Sequence, residues 1–261
     1  LYVNHPVKLE IAGTIESISR INKELLYDCY NTFYTPSNMA VVVVGDFEPE
    51  SIFSIVDEMV RSKDTGKVEK KYPDESKEIN MEYKEQKLMV SMPLFNMGVK
   101  DNVRVAGFEL LKRRIALGIA LYHTMGRSSD LYSRLYEERL INDSFRFDVS
   151  INKGYGYLAW GGQSPDPKKT ADLISKAIKE MASNGIGQEA FGRIKKSQEG
   201  MFIRSLNSVD NIAREIMDSY FNDTSYFDVG KAYSQIDIDY TNSVFKEVFE
   251  NQTALAVINP L

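Results

Sequence analysis

Apolar residues recur at helical spacing in residues 22–33, where Leu25, Leu26, Cys29, Tyr30 and Phe33 share one face behind Asn22 as a cap. Thr35-Pro36-Ser37-Asn38 stops that helix, because proline restricts the residue before it and turns the chain. Residues 39–44 form a continuous apolar run rich in valine, the pattern of a short strand buried on both faces. Gly45-Asp46 ends it, and Pro49 opens a helix through Ile52, Ile55, Val56 and Met59. From residue 61 to about 80 the apolar period disappears into mixed charge with Gly66 and Pro73, the composition of a solvated linker. Residues 87–92 then read as a strand, 105–125 and 129–139 as helices, and 145–151 with 155–162 as a hairpin closed through Asn152-Lys153-Gly154. Asp166-Pro167 caps and opens a helix to about residue 182. Helices over 188–206, 209–221, 225–233 and 241–249 follow, and the apolar run 254–258 predicts a final strand.

The two ends of the chain repeat one another. A helix ending in aromatics leads through Pro36-Ser37-Asn38 into residues 39–44, and the helix through Val244, Phe245, Val248 and Phe249 leads through Asn251-Gln252 into residues 253–258. Such repetition predicts an α/β (α+β) chain that holds two copies of one domain, with the first truncated. The expected division is 1–62 as the C-terminal part of a first domain, 63–81 as a charged linker, and 82–261 as a whole second domain. A repeat of that length puts on the order of a hundred residues upstream of residue 1.

Composition narrows the chemistry. With 43 % hydrophobic and 26 % charged residues the chain is ordinary globular material, and a net charge of -5 argues against nucleic acid as a partner. The apolar runs 40–44 and 115–125 fall short of the ~20 residues that span a bilayer, so no membrane span is expected. Cys29 is the one cysteine, read as a buried structural thiol, and a single free thiol fits a reducing, cytoplasmic setting. His5 and His123 are the two histidines, neither with a second His or a Glu at metal-binding spacing, so no catalytic zinc is expected in this chain. Gly154, Gly156, Gly161 and Gly162 read as hairpin and strand glycines, since no phosphate-binding Lys-Ser/Thr follows them. Lys112-Arg113-Arg114 reads as a solvated helix face, and Glu137-Glu138 point different ways on a helix, unsuited to a catalytic dyad.

Several blocks carry a family resemblance. His5-Pro6, Ile11-Ala12-Gly13-Thr14-Ile15-Glu16-Ser17-Ile18, Tyr34, Pro36-Ser37-Asn38-Met39 and Val42-Val43-Val44-Gly45-Asp46 resemble the end of the first domain of insulinase/pitrilysin-like zinc peptidases. Met125-Gly126-Arg127-Ser128-Ser129-Asp130-Leu131-Tyr132, Leu135-Tyr136-Glu137-Glu138 and Ile186-Gly187-Gln188-Glu189-Ala190-Phe191 are similar to the second domain. The family includes the mitochondrial processing peptidases and bacterial relatives, and the resemblance implies tandem duplicated α/β domains, each a mixed β-sheet covered by helices. The resemblance implies a zinc metallopeptidase parent that cleaves peptides or unstructured segments inside a chamber. Zinc would belong to the full-length parent, its H-x-x-E-H ligands upstream of residue 1. This chain would form one chamber wall and be incompetent alone.

Active members supply an Arg and a Tyr from an L-R-E-K-x-G-L-x-Y pattern to grip the substrate. Here the Arg position falls on Tyr136 and the Tyr position on Asn142 or Asp143, with Arg139 or Arg134 on a neighbouring turn. Moving along a helix re-aims a side chain by about 100° per residue, so such a shift matters. Tyr136, Arg139 and Phe145 are the candidate substrate contacts. The expected partners are a peptide substrate and a homologous subunit carrying the Arg/Tyr pair, or a second copy in a dimer. The alternative reading is a noncatalytic, core-type homologue that acts as a binding or assembly subunit of a heterodimeric peptidase.

Overall fold

A computed structural model describes residues 1–60 and 68–261. Helices α1 (Ile15–Ser19), α2 (Lys23–Phe33) and α3 (Pro49–Met59) precede strands β1 (Tyr83–Leu88) and β2 (Leu94–Lys100). Then come α4 (Gly107–Met125), α5 (Asp130–Glu137), β3 (Arg146–Ile151), β4 (Gly156–Gln163) and α6 (Pro167–Asn184). The chain continues through α7 (Gln188–Ser205), α8 (Val209–Phe221), α9 (Val229–Gln235), α10 (Ile238–Phe249) and β5 (Thr253–Pro260).

The strands form one mixed sheet in the order β1-β5-β2-β4-β3, with β1 parallel to β5 and the other pairs antiparallel. Strand side chains alternate between faces, so Phe95, Met97 and Val99 of β2 share a face with Trp160 and Leu158 of β4 and with Leu255 and Val257 of β5. On that face they meet Leu117 and Leu121 of α4, Ile174 and Ile178 of α6, and Phe245 and Val248 of α10 in a single core. The opposite face carries small or polar residues: Asn96 and Gly98 stand beside Gly161, Ala159, Ala256 and Ala254. Gly161 is dictated by packing, because a Cβ there would lie 2.2 Å from the Phe95 carbonyl oxygen. A mixed sheet covered by helices is the architecture the family resemblance implies.

Four local expectations need correction. The predicted strand 87–92 falls on the turn between two strands, with only residues 87 and 88 in β1, and β2 starting at Leu94. All six residues of β1 are exposed, so this edge strand carries no apolar alternation to read. Residues 39–44 pair with no strand among the described residues, and Met39, Val41 and Val43 are 52 %, 65 % and 44 % exposed. A strand buried on both faces needs layers on both sides, and none covers this run. Cys29 is exposed for the same reason, since the apolar face of α2 packs on nothing described. Arg113 is buried rather than solvated: its Nε and Nη2 donate to Asp101 Oδ2 and Oδ1 at 2.7 and 2.9 Å, and Nη1 to Glu247 Oε2 at 2.7 Å.

The linker expected over 63–81 lies outside the described residues at 63–67. Beyond them it is not simply solvated, because Glu75 is tied to residues 3–5 and to Lys100.

Candidate functional site

Ser129 caps α5 by accepting the Tyr132 N–H at 3.1 Å. The helix stops in a paired turn: Leu140 N donates to Leu135 O at 2.8 Å and Arg139 N to Tyr136 O at 3.0 Å. That motif requires a left-handed residue just past the helix, and Arg139 takes it at φ 56°, a position glycine fills at lower cost. Leu140 and Ile141 then plunge into the core, and Asn142 begins the tight link to β3.

This geometry brings two of the three predicted contact residues together and leaves the third apart. Tyr136 is exposed on α5, its ring stacked on Tyr132 at 6.0 Å. Tyr132 also meets Phe145 at 6.2 Å, and Phe145 stacks on Phe95 at 6.3 Å. Tyr136 is therefore the outermost member of an aromatic row that runs inward to Phe145, which is 4 % exposed. Arg139 is exposed and its side chain forms no ion pair among the described residues.

The two positions aligned with the substrate-gripping tyrosine are occupied structurally. Asn142 Nδ2 donates to Gln163 Oε1 at 2.8 Å, and its Oδ1 accepts the Ser144 N–H at 2.9 Å, which fastens the turn to β4. Asp143 is exposed, 3.7 Å from Arg127 Nη2, and its carbonyl accepts from Arg146. Arg127 and Arg146 escaped the sequence reading. The available signal was Gly126, where a Cβ would lie 2.4 Å from the Tyr122 carbonyl oxygen. A glycine forced at the end of α4 fixes where Arg127 emerges.

A second polar cluster binds the amino-terminal residues to the sheet. Lys100 is fully buried, donating to Glu75 Oε1 at 2.7 Å and to the Ser76 and Glu78 carbonyls at 2.9 Å, with its Nζ 4.9 Å from the Tyr2 ring centroid. Glu75 also accepts the backbone N–H groups of Val3, Asn4 and His5 at 2.7–2.8 Å. Burial opposes its ionisation, yet Lys100 and those N–H groups prevail and hold its carboxyl at about 2. Tyr2 Oη donates to Gly156 O at 2.6 Å, and burial pushes its phenol up to about 12. His5 Nδ1 accepts from Val7 N, while Nε2 is buried without a partner between the Tyr72 and Tyr155 rings. Burial lowers its basicity, and Arg104 adds to that against the pull of Glu75.

The residues in hand do not fit a zinc site. Among the described residues no three metal-ligating side chains converge. His123, half-buried on α4 and lowered by burial and by Arg193, lines a cavity that does not include His5.

Residues 20–198 match the peptidase M16 inactive domain. YmfH, an uncharacterized zinc protease of Bacillus subtilis, is 37 % identical over 251 residues, which cover 95 % of this chain and 58 % of that protein. The zinc protease PqqE of Helicobacter pylori is 25 % identical over 232 residues, 81 % of this chain and 48 % of its own. The chain thus spans 48 to 58 % of the length of these relatives. The crystal structure of an M16-like peptidase from Alicyclobacillus acidocaldarius superposes with a TM-score of 0.90 at 28 % identity, over all of this chain and 63 % of that one. The M16 inactive domain from Pseudomonas fluorescens, at 15 % identity and TM-score 0.82, shares the fold over all of this chain and 63 % of its own.

Proposed function

For a chain that belongs to the peptidase M16 family and matches its inactive domain, we propose a noncatalytic, peptide-holding role within a zinc-dependent endopeptidase. The observation that carries this reading is the α5–β3 turn. The resemblance puts a carbonyl-gripping Arg and Tyr there, whereas this chain holds Tyr136, stacked on Tyr132, and Asn142, bonded to β4. A tyrosine hydroxyl offers one donor where a guanidinium offers a fork of N–H groups, so the grip on a developing oxyanion is weaker.

In this reading the zinc and the hydrolytic water belong to another domain, and no step of bond cleavage runs through this chain's residues. Residues 1–62 complete that preceding domain, whose layers would cover Met39, Val41, Val43 and the apolar face of α2. The residues from 82 onward form one wall of a chamber for peptides or unstructured segments. A homologous subunit supplies the Arg/Tyr pair. The single free thiol favours a cytoplasmic setting.

Turnover of an internally quenched peptide tests the reading. The purified chain with added zinc is expected to show none, and the parent that carries the zinc domain is expected to turn the peptide over only when combined with a homologue that retains the Arg and Tyr. Zinc-dependent turnover by the chain alone, abolished by a chelator, would overturn it.

A further inference from the structure

Beside the α5–β3 turn a cleft of about 400 Å³ opens between α4, α5 and the start of β3. Its floor is aromatic and apolar: Met125, Tyr132 and Phe145 are buried, and Tyr122 and Phe147 half-buried, their rings edge-on at 6.3 Å. Two arginines, Arg127 and Arg146, also line the cleft.

Arg146 is anchored through its guanidinium and Arg127 through its backbone, and neither is closely neutralised. The backbone fixes Arg127, since Gly126 N donates to Tyr122 O and Ser129 N donates back to Gly126 O. Its one acidic neighbour, Asp143, stands 3.7 Å away, with the two side chains 65 % and 77 % exposed, so the pairing is weak and easily displaced. Arg146 Nη1 donates to the carbonyls of Asp143 and Phe145, while its Nε and Nη2 make no bond among the described residues. Two cations thus face one exposed carboxylate over an apolar floor. Such a pair attracts a carboxylate, and the floor takes the body of a large ring.

We propose that this cleft is a specificity subsite, in which Arg127 and Arg146 receive an acidic side chain of a peptide that turns at the cleft, so that Tyr122, Tyr132 and Phe147 receive the adjacent aromatic one. The inference rests on the peptide-holding reading above, and assigns that site a substrate class. Occupancy needs no chemistry, because binding alone fills the cleft.

The test is equilibrium binding of the intact chain to fluorescent peptides, acetylated and amidated so that no terminal charge contributes. An Asp-Phe peptide is expected to bind about tenfold more tightly than its Lys-Phe and Asp-Ala counterparts, with the advantage over Lys-Phe shrinking as salt rises. Arg127→Ala with Arg146→Ala should erase the preference for Asp over Lys, and Arg127→Glu with Arg146→Glu should reverse it. Circular dichroism of these surface variants is expected to match the parent. Equal affinity for the acidic and basic peptides, no saturable binding, or a preference unchanged in either double variant would overturn the assignment. The assay involves no zinc and no turnover. A failed turnover experiment with intact Asp-Phe selectivity would therefore discard the catalytic setting alone, and lost selectivity with restored turnover would discard the subsite alone.

Discussion

Arg139 and Glu75 show how single residues balance stability against position. Arg139 sits at φ 56° because the end of α5 demands a left-handed residue, and a Cβ there costs about 1 kcal/mol. Arg139→Gly is expected to raise stability by up to about 1 kcal/mol in urea denaturation; a loss would show that the arginine side chain holds the turn. Glu75 works the other way. Its folded carboxyl lies at about 2, below the ordinary value of 4.5. The stability it contributes is therefore complete above about pH 4.5 and is lost as pH falls toward 2. His5, also lowered, adds to the loss on acidification, because the unfolded imidazole takes up a proton more readily than the buried one. Glu75→Gln should cost about 2–3 kcal/mol at neutral pH by stranding Lys100, and should flatten the dependence of the urea midpoint between pH 5 and pH 2. An unaltered slope would place the acid-sensitive group elsewhere. Neither role was legible in the sequence. Glu75 lies in a charged stretch that reads as solvent-facing, and only folding brings the N–H groups of residues 3–5 to it.

At the scale of elements, local signals succeed where they act locally. Asn22, Ser129 and Asp166 all cap the helices they were read to start or flank, and α8 spans the predicted residues 209–221. Local signals fail where the neighbour decides. The exposed edge strand β1 has no pattern, and β2 is interrupted by Asn96, Gly98 and Lys100, each placed by a contact from outside the strand or left exposed on the small-residue face. Residues 39–44 have the strand pattern without a partner. Val41→Lys and Val43→Lys should therefore change the stability of this chain by less than about 0.5 kcal/mol, whereas Val99→Ala, at a fully buried position, should cost about 2–3 kcal/mol. Urea denaturation of the three variants is the check. A cost at Val41 approaching that at Val99 would mean that another layer already covers the run.

Over the whole molecule, the five-stranded sheet buries one face under its helical layer, while residues 9–60 present Leu25, Leu26, Phe33, Val41 and Phe53 to solvent. The link between the two regions is both polar and aromatic: residues 2–5 dock through the hydrogen bonds of Tyr2 and Glu75 and through the rings of Tyr2 and His5 against Tyr155 and Tyr157, at one end of β2 and β4. Sequence alone determined the α/β class, the longer helices though neither α1 nor the bounds of α9, the β3–β4 hairpin and the family resemblance, because capping, periodicity and turn chemistry are written within a few residues of where they act. Tertiary structure alone decided that Arg113 and Lys100 are buried, that Phe145 lies behind Tyr132, and that Arg127 and Arg146 share one cleft. Those outcomes depend on groups far apart in the chain, Glu247 with Arg113 and Glu75 with Lys100, and burial and pairing exist only once distant segments share a space.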